Sequence, residues 1–99
     1  MSQDIREIDP RDLHLPTSRL TGADPVKLQR QIARFGSSSS GMPLITAFEK
    51  IDGRLVIWDG VTRATRMAQL APGRVVLVEV IGVLPRKFPA TPTIGDTVP

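Results

Sequence analysis

Val56-Ile57-Trp58-Asp59-Gly60-Val61-Thr62-Arg63-Ala64-Thr65-Arg66 joins two kinds of periodicity with almost no linker between them. Leu55 to Trp58 is a continuous apolar run that reads as a strand, apolar on both faces and therefore expected to be covered on both sides. Thr62 to Leu70 reads as a helix, with Ala64, Met67, Ala68 and Ala71 as a narrow packing face and Pro72-Gly73 as its stop. A strand that runs through a glycine straight into a helix places unpaired helix amides, and the positive end of the helix dipole, at the strand's end. Gly60 lets an anion approach the main chain without a side-chain clash. Arg63 adds a guanidinium fork from the first turn, and Thr62 adds a hydroxyl that either donates to the anion or caps the helix. The other reading of the junction is an ordinary turn and cap followed by solvated arginines.

Working outward, Ile51-Asp52-Gly53-Arg54 is a hairpin turn, because Asp-Gly accepts the positive backbone angles such turns need. Its other strand is Leu44 to Phe48, led in by Met42-Pro43. Further upstream, Asp24 caps a helix that opens on Pro25 and stops at Gly36. Val26, Leu28, Ile32 and Phe35 recur along it at helical spacing, with Arg30 and Arg34 on its outer face as solubility charges. Ile5 to Leu15 reads as a short edge strand broken by Asp9-Pro10. Downstream, Val75 to Gly82 is nearly all apolar and β-branched, which suits an interior strand. The order strand, helix, hairpin, helix, strand predicts an α+β fold, a small mixed β-sheet with helices packed against it. Residues 1–85 make one domain. Residues 86–99, with three prolines and a glycine, read as a flexible tail docked at most locally through Phe88.

Composition narrows the function. At 99 residues the chain holds a single core. Hydrophobic residues are 40% and charged ones 23%, which argues against a fully disordered chain. There is no cysteine, so disulfides, thiolate metal sites and cysteine nucleophiles are excluded. No apolar run is long enough to span a bilayer, and Met-Ser-Gln-Asp carries no signal pattern, so a cytoplasmic location is expected. A net charge of +3 suits an anionic partner but is too small for a nucleic-acid footprint. One Trp and no Tyr leave little for stacking single-stranded bases.

Taken together, Pro16-Thr17-Ser18-Arg19, the Pro25–Gly36 helix, Met42-Pro43-Leu44-Ile45, Asp59-Gly60-Val61-Thr62-Arg63 and the strand from Arg74 to Ile81 resemble, in order and spacing, the ParB/sulfiredoxin-like fold. The resemblance covers residues 5–82. It implies phosphate binding at the Gly-x-x-Arg turn: of a nucleoside triphosphate, usually CTP, in ParB-like members, and of ATP in sulfiredoxins. Carried over, Gly60 and Arg63 are the phosphate contacts, Thr62 stands beside them, and Arg19 occupies the loop arginine that closes over the same pocket, or else is a surface arginine. Arg66, one turn beyond Arg63, reaches the same anion or solvent. The departures are specific. Sulfiredoxin chemistry needs a cysteine that this chain lacks. Val61-Thr62 replaces the acid and one arginine of the partition-type Gly-Glu-Arg-Arg, which weakens the case for CTP hydrolysis or a magnesium-assisted switch. The sequence stops before the DNA-reading and dimerisation domains of ParB, so sequence-specific DNA binding is not expected.

Three functions follow: a nucleotide- or phosphate-binding module; a nuclease or nucleotide phosphohydrolase in which Asp59 activates water or contacts Mg2+; and an adaptor that kept the fold without the ligand and docks a protein partner through the tail after Arg86-Lys87. Turn formation explains Asp59 equally well. Ser37–Gly41 is either a second anion nest or a linker. His14 has no second histidine near it and reads as a surface residue, with no metal site expected. Trp58 is expected to pack on the second helix.

Overall fold

The computed structural model describes residues 3–85 and 87–98. Met1, Ser2, Arg86 and Pro99 lie outside the described residues, the last two within the expected tail. β1 is Asp4–Ile8, α1 Pro25–Phe35, β2 Ile45–Glu49, β3 Leu55–Asp59, α2 Val61–Leu70, β4 Val76–Val83 and α3 Ile94–Thr97, with short 3-10 turns at Pro10–Asp12 and Thr17–Arg19. The four strands form one sheet in the order β1-β4-β2-β3. β1 pairs antiparallel with β4, β2 antiparallel with β3, and β2 parallel with β4. The sheet is mixed, with β4 inside it and β1 at one edge: the α+β architecture expected from the sequence.

One face of the sheet carries the core. Ile45, Ala47, Leu55, Ile57, Val76 and Val78 pack there against Ala64, Met67 and Ala68 of α2, whose small residues let the helix sit close. α1 opens as its sequence demands: Pro25 is the first helical residue and Asp24 accepts from the Val26 amide at 3.2 Å. Gly36, at φ +55°, ends it. Its apolar stripe is narrower than the spacing suggests, since Leu28 and Ile32 turn inward while Val26 and Phe35 stay exposed. α1 packs on α2 rather than across the sheet, so only a thin strip of it finds cover.

The largest departure is the C-terminal segment, which is not a loose tail. Leu15 donates to the Pro92 carbonyl and Ile94 to the Leu13 carbonyl, both at 2.8 Å, and Ile94 is fully buried. Thr93 and Asp96 form a reciprocal capping box that starts α3. Pro89 and Pro92 lie outside any helix or strand, as expected, but the strap they belong to is held down, because Ile94 and Val98 anchor it in the core. Burying those side chains offsets the ordering of the strap.

His14 is also corrected. It is nearly buried, its Nδ1 lies 2.7 Å from the Thr91 carbonyl, and its main chain donates to Leu55 and accepts from Ile57 along the outer edge of β3. β3 is thus an edge strand whose rim is covered by the chain around His14. Leu55, Val56 and Ile57 are covered as expected, but Trp58 is two-thirds exposed. Alternation along the strand places Ile57 on the core face and turns Trp58 away from α2; it meets Phe48 edge-on at 5.7 Å instead.

Candidate functional site

Only Gly60 separates β3 from α2, and its backbone makes that possible. At φ +119° it sits where side-chain-bearing residues are strained. A β-carbon there would lie 2.9 Å from Ile45 Cγ1 and 3.1 Å from Arg63 Nη2. The helix starts with no side-chain cap, so the amides of its first turn remain available. Beside them is a hollow of about 420 Å3, within the range of roughly 300–1,000 Å3 common for small-molecule sites. Its wall comes from three elements: the 3-10 turn supplies Ser18 and Arg19, α1 supplies Lys27 and Gln31, and the junction supplies Asp59, Gly60, Thr62 and Arg63.

Arg63 is mostly buried, and its Nη2 donates to the Leu44 carbonyl at 3.3 Å. The same nitrogen is 3.6 Å from Asp59 Oδ2, whose side chain is three-quarters exposed. An ion pair with so exposed a carboxylate is weak. Arg63 Nε is buried with no partner. The hollow therefore carries three cations, Arg19, Lys27 and Arg63, against the single carboxylate of Asp59. A dianionic group fits that balance, and first-turn amides are the donors such a group takes. Trp58 stands at the rim.

Arg19, Gly60, Thr62 and Arg63, far apart or merely adjacent in the sequence, are brought to one hollow. Arg66 is not. It is buried against the α1–β2 loop, where its Nη1 donates to the carbonyls of Gly36 and Ser38 at 2.7 and 2.8 Å. The first carbonyls of the Ser37–Gly41 connector face arginines: Arg74 also donates to Ser37, at 3.3 Å. Lys27 and Gln31 were missed. Both sit on α1 four residues apart, so helical spacing puts them on one face; nothing in the sequence says that this face looks onto Gly60.

Among the described residues no three His, Cys, Asp or Glu side chains converge to a metal-binding group. Asp59, exposed and only weakly paired with Arg63, builds no cage for Mg2+; that ion usually keeps its waters and rides on substrate phosphates. Among them, too, no helix is long and apolar enough to cross a membrane. Comparison with protein-family models, with curated proteins and with solved structures finds no match.

Proposed function

We propose that the hollow between α1 and the start of α2 binds the phosphate of a nucleotide or other phosphorylated small molecule, in the manner implied by the resemblance to ParB/sulfiredoxin-like domains. One observation carries the reading: the uncapped start of α2 opens beside Gly60 onto a cavity where Arg19, Lys27 and Arg63 converge. Phosphate oxygens take the amides of Val61 and Thr62 while Arg63 supplies a charge-assisted bond. Asp59 competes for Arg63, and a phosphate displaces it because it offers more charge than an exposed carboxylate does. Lys27 and Arg19 close the cationic wall. CTP and ATP are the first ligands to try, with Mg2+ carried in on the triphosphate.

Titration calorimetry with CTP, ATP and their diphosphates, with and without magnesium, tests the proposal. Saturable heat from the wild type that Arg63→Ala abolishes supports it; no heat from any of these nucleotides or from inorganic phosphate refutes it. The hydrolytic alternative rests on Asp59, and turnover surviving Asp59→Asn removes that residue from any mechanism. Docking of a partner through the C-terminal strap requires the strap to leave the core that Ile94 and Val98 anchor.

A further inference from the structure

Arg66 is 2% exposed, and no carboxylate pairs with it among the described residues. A guanidinium has two faces and several donor edges, and here they are used unequally. The Phe35 ring covers one face, 5.4 Å from Cζ. Nη1 is spent on the carbonyls of Gly36, which caps the negative end of α1, and of Ser38 in the loop beyond it. The remaining edge, Nε with Nη2, is the one on which a carboxylate seats side-on with two parallel bonds. Nε has no partner, and Nη2 meets only the Met42 thioether at 3.4 Å. Sulfur is a weak acceptor, so this edge lacks an oxygen.

Arg66 and Met42 line a hollow of about 250 Å3 with Gln31, Phe35, Pro43 and Arg63. Two more buried polar atoms without partners, Arg63 Nε and Gln31 Oε1, belong to its lining residues. A half-turn of the Gln31 amide brings its Nε2 donor to the place of that acceptor. Phe35, Met42 and Pro43 supply the apolar part of the wall, and Ser38, Ser40 and Gly41 complete it. We infer that this second hollow is a site for a small organic carboxylate, whose oxygens take the Nε–Nη2 edge of Arg66 while its short apolar body lies against Phe35 and Pro43. Met42 occupies the oxygen's place in the free protein; it is partly buried against the core, but unbranched and flexible, so a change of rotamer vacates that place. The planar fork selects carboxylate, and the apolar wall selects an organic anion over an inorganic one.

The test is a titration of the whole protein with sodium propionate against sodium chloride at equal ionic strength, followed by NMR of the arginine Nε–H and methionine methyl signals. Saturable movement of the Arg66 Nε–H and Met42 methyl signals is expected. Met42→Ala should bind propionate roughly three- to tenfold more tightly, and Arg66→Lys at least tenfold more weakly. Should Arg66→Lys fail to fold, Met42→Ala still decides. Unmoved Arg66 and Met42 signals overturn the inference, as do changes confined to residues 60–63, or Met42→Ala binding no better than wild type. An equal saturable shift with sulfate overturns the carboxylate assignment. Gln31 and Arg63 border both hollows, so the unshared residues tell them apart: inorganic phosphate, titrated separately, should move Gly60 and Thr62 and leave Arg66 and Met42 unmoved.

Discussion

Gly60 and Ile45 approach so closely that a β-carbon on Gly60 would lie 2.9 Å from Ile45 Cγ1. Ile45 is fully buried in β2, so it has no room to retreat. Gly60→Ala therefore meets two penalties, a left-handed backbone and a packed neighbour. It should destabilise the fold by about 2–4 kcal/mol. Urea unfolding measures this, and a loss under about 0.5 kcal/mol would show that the junction relaxes freely.

Arg63 and Lys27 reach the hollow from different helices, so their roles separate by mutation. Losing a charge-assisted bond costs roughly 1.5–3 kcal/mol, so Arg63→Ala should weaken phosphate or nucleotide binding ten- to a hundredfold. Lys27→Ala, at an exposed wall, should weaken it roughly three- to tenfold. Trp58 is the only tryptophan and sits at the rim, so its fluorescence reads binding directly. Unchanged affinity in Arg63→Ala would sink the site.

Ile94 turns the C-terminal strap into part of the fold. Ile94→Ala should cost about 2–4 kcal/mol through lost burial and a residual cavity. Its amide, bonded to the Leu13 carbonyl, should exchange as slowly as core amides of β4. Fast exchange there, together with a neutral Ile94→Ala, would restore the picture of a loose tail.

Acid should loosen the molecule at named places. The Thr93 amide holds the Asp96 carboxyl below its ordinary value, and Arg6 does the same for Glu49 and Asp4. Carboxyls with lowered folded values contribute stability above the unfolded value, near 4, and lose it as pH falls through the folded one. The thermal midpoint should stay level from pH 7 to 5 and drop below about pH 4. Asp96→Asn combined with Glu49→Gln should start lower at pH 7 and fall less steeply; an unaltered slope would place the acid response elsewhere.

Much of this was legible in the chain. Asp24-Pro25 and Gly36 delimit α1 because capping and glycine's positive φ are local chemistry. The Asp-Gly hairpin, the interior β4 and the Gly60 junction follow from patterns confined to a few residues. Of the residues lining the candidate site, Gly60, Thr62 and Arg63 were visible for the same reason, since strand, glycine and first helical turn are contiguous.

What the chain could not announce is which distant surfaces meet. Lys27 and Gln31 join the hollow because α1 packs on α2, and Trp58 faces outward because its neighbour Ile57 takes the core side. Arg66 leaves Arg63 for the loop after α1, drawn to carbonyls that only the packed helices present. Ile94 is buried because the strap returns beside Leu13. Local hydrogen bonding and backbone sterics determined the elements and the uncapped helix start after Gly60. The tertiary structure decided the partners, since burial depends on contacts between residues that lie far apart along the chain.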